Sequence, residues 1–506
     1  MEQTPRGAGE AGREATWWML LAVAICAAAV FAVPYDYISD ETVYLDQAVS
    51  LHVGEPRGWS IRSFVYPALL AAVPRTVGEF VRMGPEDAVV IVRFANLAVC
   101  LGSLVALGAL ARRLFDPLVA TLAVALTGLS WWWLFAVRRL MMDVPAGAFL
   151  VLAACVISGG LARRRDVVLA TVCCALAVMV KFQAAPAAVA LAVLGPMVVD
   201  HPAGSRREAL GWVLGTGILM AAVQGLVDLV TLGAPFRSAI DFYEYNLTGG
   251  EHIARLYGCA GPGQYVHLVA GAFSIPLPWL ALGGAALALR GRQRLCWLLA
   301  GAVGLYLAAL WPVCQKWERF LYVVAPFLSL FAAVAIAWLA GFAATRWAAR
   351  RLVDPARVGI AALLAAVTLA GMVPFDRARA IVSQTESCGD LALALRPALR
   401  VRSDIEAVGM APPCEVPTIF FPFLQPKDVY TAGDADAFSH RAGVLFVATA
   451  TDLGRHVAGS GDGAYVLLGR SRGGRYAAYR AAGPRAAGSR QSSTSSRPGG
   501  SPEVSP

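Results

Sequence analysis

The sequence predicts an all-α polytopic membrane protein with a long first outer loop and a small α/β domain at its C-terminal end. Three observations carry that prediction. Of 506 residues, 58% are hydrophobic and 15% are charged, where a soluble domain carries roughly 25% charged residues. Apolar runs long enough to cross a bilayer, on the order of 20 residues, recur from Thr16 to Pro374. The loops between them alternate between arginine-rich and arginine-poor. A soluble enzyme, a disordered scaffold and a secreted disulfide-rich domain are excluded.

Taken in order, the runs give about eleven spans at 16–34, 88–110, 118–136, 144–161, 166–181, 184–199, 209–229, 265–289, 295–313, 320–342 and 358–374. Trp17 and Trp18 open the first as an interfacial pair, which fits an uncleaved anchor rather than a signal peptide. Arg6 and Arg13, Arg112 and Arg113, Arg163 to Arg165, Arg206 and Arg207, Arg290 to Arg294, and Arg346 to Arg351 all fall on one side. The positive-inside rule makes that side cytoplasmic. The net charge of +9 therefore reads as topology, not as nucleic-acid binding. Residues 1–15 form a cytoplasmic N-terminus, 16–374 the membrane domain with its first outer loop at 35–87, and 375–482 an extracytoplasmic domain. There, "AGVLFVATA" and "AYVLLG" read as strands. The Ser-, Pro-, Gly- and Arg-rich residues 483–506 read as a disordered tail.

Six cysteines lie in or beside spans as small core residues, while Cys259, Cys314, Cys388 and Cys414 lie on the outer side, where disulfides form. Four cysteines allow three pairings. We take Cys388 with Cys414 as the expectation, the other two staying open. The histidines show no zinc-binding spacing, so no dedicated zinc site and no cofactor are expected, while the question of a divalent metal stays open.

Charged groups gather just beyond the outer ends of the spans. "YDYISDETVYLD" supplies Asp40 and Glu41, and "GWSIRSFVYP" supplies Arg62. "VRRLMMDVP" adds Arg138 and Asp143, "MVKFQ" adds Lys181, and "QKWERF" adds Lys316 and Arg319. Outer cations run against the positive-inside bias, and charge at a membrane boundary points to function. Several cations with a carboxylate suit a phosphate-bearing substrate. Asp40 and Glu41 are adjacent and diverge on a helix, so one faces the reaction while the other pairs. A single carboxylate serves as a general base for an attacking hydroxyl, and the cations stabilise the departing phosphate. One base with no nucleophilic carboxylate inverts an anomeric carbon. Arg93 and Asn96, polar residues in the second span, fit either an interhelical contact or this site.

An acidic pair after the first span of a many-span chain resembles the GT-C superfamily of lipid-phosphate-sugar glycosyltransferases. "SDETVYLDQA", "IRSFVYP" and "QKWERFLYVVAP" are similar to the first-loop Asp-Glu, Arg-Ser-aromatic-Pro and His-Lys-Glu-x-Arg-Phe motifs of the family 22 mannosyltransferases, which use dolichyl-phosphate-mannose. "DLVTLGAPFRSAIDFYEYN" resembles that family's Asp…Gly…Tyr-Asn stretch. The sequence departs from the pattern where Gln315 and Trp317 replace the motif histidine and glutamate, and no Trp-Glu-Trp segment precedes Arg62. Protein O-mannosyltransferases and aminoarabinose transferases are broader relatives.

The resemblance implies an inverting transfer of a hexose, mannose by family, from a polyprenyl-phosphate donor to a hydroxyl on the non-cytoplasmic face. It makes Asp40 the base, Glu41 its neighbour, and Arg62, Lys316 and Arg319 the donor-phosphate ligands; Arg138 and Lys181 join them on the charge argument above and the looser superfamily likeness. Asp143, Tyr243, Tyr245 and Asn246 go to the acceptor side. The implied partners are the lipid donor and a glycolipid, lipid-linked glycan or protein acceptor. Nucleic acid is not among them. The Ala-, Arg- and Gly-rich, Lys-poor composition points to a bacterial inner membrane. The rival readings are a secondary transporter and a non-catalytic glycan-binding subunit. Outer-end polar clusters and an odd span count, without repeats, weigh against the transporter.

Overall fold

In a computed structural model the chain divides into two units, residues 1–385 and, for the most part, 386–506. The structure describes residues 6–32, 39–53, 61–81, 84–199, 205–248, 276–291, 293–313, 318–347 and 353–371 of the first. Of the second it describes 388, 391–392, 394–395, 399, 407–410, 429–431, 443–449, 452–459, 465–470 and 476–481. Asp36, Trp59, Cys259, Cys314, Lys316, Cys414 and the tail at 483–506 lie outside the described residues.

The first unit is helical: α1 (Arg6–Ala32), α2 (Ser39–Val53), α3 (Val65–Gly78), α4 (Pro85–Leu114), α5 (Pro117–Gly128), α6 (Trp131–Arg138), α7 (Asp143–Ser158), α8 (Arg164–Val180) and α9 (Ala185–Val198). There follow α10 (Arg206–Leu232), α11 (Arg237–Tyr243), α12 (Pro276–Arg290), α13 (Arg294–Leu310), α14 (Ala325–Trp347) and α15 (Val353–Gly371). By length and composition, four described helices are long and apolar enough to cross a membrane: residues 87–114 within α4, and α10, α14 and α15. The pair α5 and α6, bent by 55°, makes up to five. The expected third span, 118–136, is thus two helices around a break. The expected tenth span begins later, because residues 318–323 form a 3-10 turn ahead of α14. The first outer segment, read as a loop, holds two helices, α2 and α3.

Local chemistry explains several helix starts. Asp116 caps α5 by accepting from Val119 N at 2.9 Å, with Pro117 at the first helical position. Ser205 caps α10 in the same way, accepting from Glu208 N at 3.2 Å. Gly233, at φ +78°, ends α10 in the left-handed conformation glycine adopts without penalty.

The arginine-rich loops gather at one end of the bundle. Arg113 donates to the Cys155 carbonyl and to Ser158 Oγ, Arg164 pairs with Glu208 at 2.9 Å, and Arg357 pairs with Asp116 at 2.6 Å. Gln293 donates to the Leu114 carbonyl at the same end. Small residues let the helices close: a Cβ on Gly284 would run into the Phe331 carbonyl of α14.

The second unit carries a mixed sheet in the order β2-β1-β3-β5-β4, from β1 (Ala407–Met410), β2 (Val429–Thr431), β3 (Gly443–Ala448), β4 (Tyr465–Arg470) and β5 (Tyr476–Ala481). β1 runs parallel to β2 and β3, and β5 antiparallel to β3 and β4. Helix α16 (Asp452–Gly459) packs against β3 and β4. Val444 to Val447 are all buried, so both faces of β3 are covered. Cys388 is disulfide-bonded, and the partner lies outside the described residues. Cys26, Cys100, Cys155, Cys173, Cys174 and Cys296 are free thiols.

Candidate active site

The helix ends opposite the arginine-rich loops hold the remaining charge. On α2, Glu41 is buried and its Oε1 accepts from Arg93 Nη2 of α4 at 2.7 Å. Asp40 stands one residue earlier on the same helix, its side chain outside the described residues. The Glu41–Arg93 pair ties α2 to α4 and so holds the rotation of α2, the helix that carries Asp40. Arg93→Met takes this guanidinium from a buried carboxylate. It is expected to cost about 3 kcal/mol of stability, read as a lower melting temperature in detergent. Unchanged melting would remove Glu41 from this anchoring role.

One turn along α4, Asn96 bridges two elements. Its Oδ1 accepts from the Tyr66 hydroxyl of α3 at 2.9 Å, and its Nδ2 donates to the Val137 carbonyl of α6 at 3.3 Å. Tyr66 also meets Phe149 of α7 edge-on, ring centroids 5.9 Å apart. The arrangement binds the start of α3, and Arg62 just before it, to the α6–α7 turn. The Arg62 guanidinium lies over the Tyr44 ring at 5.7 Å, and its carbonyl accepts from Gln47 Nε2, so α2 holds this arginine in place.

The α6–α7 turn is tight and strained. Leu140 has φ +46°, a left-handed conformation costing a non-glycine residue about 1–2 kcal/mol. Met141 N donates to the Ala136 carbonyl across it at 3.0 Å, the wide bond of a Schellman closure. The turn delivers Arg138, buried at the end of α6, and Asp143, at the first position of α7. Asp143 Oδ1 lies 3.0 Å from Lys181 Nζ, with side-chain exposures of 3% and 4%. Burial this complete makes the pair interdependent. Lys181 also lies 5.1 Å from the centre of the Phe320 ring.

Phe320 belongs to the 318–323 turn, held on several sides. Its carbonyl accepts from the Tyr306 hydroxyl of α13, and Tyr322 stacks on Trp132 of α6 with centroids 5.2 Å apart. Gly147 of α7 lies close beneath: an added Cβ would sit 2.7 Å from the Val323 carbonyl oxygen. Gly147→Ala is expected to push the turn off α7 at about 1–3 kcal/mol, as overpacking does, and to raise the KM for donor several-fold. An unchanged KM would show that the turn takes no part in binding. Arg319 heads this turn, where burial pulls its pKa down to about 10 while Tyr322 opposes the shift. It keeps its charge at neutral pH, and burial adds to its demand for an anion.

The structure thus pairs Asp143 with Lys181 and sets Lys181 and Arg319 against the same Phe320 ring, with Arg138 buried at the end of α6 and with Glu41, Arg93 and Arg62 in a second cluster tied through Asn96 to the α6–α7 turn. On α11, Phe242 meets Phe182, the neighbour of Lys181, with centroids 5.2 Å apart. Tyr243 is exposed beside it, and Asn246 Nδ2 donates back to the Phe242 carbonyl. Tyr245 lies between them in the turn that continues α11, partly buried. Lys316 lies outside the described residues.

A buried group lies beside these residues: Ser63, Asp228 and Ser238, which stand within the motif stretches quoted above, and Gln224, which those stretches leave out. The signal was present in α10, where Gln224 and Asp228 fall four apart on one face of an apolar helix.

The family match and the helical architecture together make this a membrane glycosyltransferase of GT-C fold. The chain belongs to the Alg9-like mannosyltransferase family, whose model matches residues 56–395. The match begins past Asp40 and Glu41 and ends beyond Pro326, the last residue of the motifs quoted above. The fold is similar to that of ArnT from Cupriavidus metallidurans bound to undecaprenyl phosphate. That likeness has a TM-score of 0.59 and 14% identity, over 92% of this chain and 97% of that one. It is also similar to the Archaeoglobus fulgidus oligosaccharyltransferase in the apo form, with a TM-score of 0.51 and 11% identity, over 88% and 70%. Comparison with curated proteins gave no match.

Proposed function

We propose that the protein transfers a hexose, mannose by family, from a polyprenyl-phosphate carrier to a hydroxyl acceptor on the extracytoplasmic face, with inversion at the anomeric carbon. The observation that carries this reading is the buried Asp143–Lys181 pair set against the Phe320 ring of the Arg319 turn, at the bundle end opposite the arginine-rich loops. The positive-inside rule places that end outside. The disulfide at Cys388 supports an oxidising environment for the C-terminal unit, which we read as an extracytoplasmic α/β domain. Eleven spans and a bacterial inner membrane complete the proposed setting. The lipid phosphate of the donor is that of a ligand already held by a protein of this fold.

In the proposed reaction Asp40 accepts the proton of the acceptor hydroxyl as its oxygen bonds to the anomeric carbon. The bond from that carbon to the phosphate oxygen breaks, and polyprenyl phosphate leaves with the electron pair. Arg62, Arg138, Lys181, Lys316 and Arg319 are the cations assigned to that phosphate, and electrostatic stabilisation of this kind is often the largest single contribution to rate. Tyr243, Tyr245 and Asn246 face the acceptor in this scheme, with Asp143 orienting Lys181. No organic cofactor enters it.

Mass spectrometry of lipid-linked glycans, with and without the gene, tests the proposal. Loss of the gene is expected to accumulate a precursor one hexose short. An unchanged glycan profile refutes the reading.

A further inference from the structure

Beside the charged residues described above lies a second buried polar group that the proposed reaction does not use. Ser63 Oγ donates to Gln224 Oε1 at 2.8 Å. The Gln224 amide nitrogen donates to Asp228 Oδ1 at 2.8 Å and to Ser238 Oγ at 3.0 Å. Ser238 donates to Asp228 Oδ2 twice, from its backbone N at 2.9 Å and its hydroxyl at 2.7 Å. Val65 N donates to Ser63 Oγ at 3.2 Å, closing the start of α3. All four side chains are buried.

The direction of each bond follows from one group. An ionised Asp228 can only accept, so the Gln224 amide must turn its nitrogen toward it and its oxygen toward Ser63. Gln224 is the hub, and neither of its polar ends is left over. Burying four polar groups, two of them on the apolar α10, is costly unless every one is satisfied. Here they are satisfied only while three separate segments stay together. Ser63 follows Arg62 in the first outer segment, Gln224 and Asp228 are on α10, and Ser238 is in the first turn of α11, which leads to Tyr243, Tyr245 and Asn246.

We propose that Gln224 is a positioning residue that sets the donor-phosphate arginine, Arg62, in fixed register with the acceptor-side turn at 243–246. This rests on the functional reading above. The clamp has two separable arms, one through Ser63 to the donor side and one through Ser238 to the acceptor side.

The test uses the full-length protein in detergent, with undecaprenyl phosphate as the donor-side probe, mannosyl-phosphoundecaprenol as donor and octyl α-mannoside as acceptor. A neutral hydrogen bond is worth about five- to tenfold in an equilibrium constant. Ser63→Ala is expected to weaken undecaprenyl phosphate binding by about that factor and leave the acceptor KM unchanged. Ser238→Ala is expected to raise the acceptor KM by a similar factor and leave donor-probe binding unchanged. Gln224→Leu should move both, while Gln224→Glu, which keeps the acceptor for Ser63 but sets a second carboxylate against Asp228, should spare the donor side more.

A purely structural clamp would lower the fraction of active protein in all variants and leave both constants where they were. That result overturns the proposal, and so does either serine variant moving both constants equally. If wild-type protein binds undecaprenyl phosphate but transfers no sugar, the glycosyltransferase reading fails. The Ser63 arm is then still judged by its effect on probe binding.

Discussion

Asp40→Asn is expected to reduce sugar transfer by roughly 10²–10⁴-fold, the range a positioned general base contributes. The asparagine keeps nearly the same size and polarity, and the neighbouring Glu41 keeps its pair with Arg93. Folding and donor binding should therefore survive. The assay is transfer from radiolabelled mannosyl-phosphoundecaprenol, with undecaprenyl phosphate binding measured in parallel. Lost turnover with retained binding is the signature of a missing base. If the variant restores a deletion strain to normal, a non-catalytic subunit becomes the better description. Uptake of a solute into proteoliposomes without any glycosyl product would favour a transporter.

The second large effect is at Lys181. Lys181→Met strands Asp143 as a buried carboxylate without its cation, and breaking one side of a buried pair costs about 3–5 kcal/mol. Melting temperature and transfer should both collapse, which by itself does not separate structure from binding. The double variant Asp143→Leu/Lys181→Met does. Replacing both members of a buried pair with apolar residues of similar size is often neutral for stability. Melting is expected to recover toward wild type while transfer stays lost, because the phosphate has one cation fewer. Transfer returning along with stability would show that Lys181 serves folding alone.

Much of the helical frame was legible in the chain because membrane burial writes long apolar runs and arginine asymmetry into local composition. What blurred were the places where a helix bends or tightens. Gly128 to Ser130 look no different from their apolar surroundings, yet α5 and α6 meet there at 55°. Residues 318–323 were read partly as the start of a span, although Tyr306, Trp132 and Gly147 hold them as a separate turn against three helices. Those contacts are distant in sequence, so no local pattern encodes them.

The candidate site divides in the same way. Charges at the outer ends of spans stand out one at a time, and Glu41, Arg138, Asp143, Lys181 and Arg319 could each be named on that ground. Which charge answers which could not. That Asp143 faces Lys181, that Glu41 takes Arg93, and that Ser63 reaches across 161 residues to Gln224 are outcomes of packing.

The sequence by itself determined that this is a membrane-embedded, lipid-facing helical protein with ionisable groups at one boundary, because hydropathy and charge act residue by residue against the bilayer. The packing of the helices settles which of those groups pair with one another, as Asp143 does with Lys181 and Glu41 with Arg93. Pairing depends on distances of about 3 Å between residues on different helices, and that is set by how the helices pack.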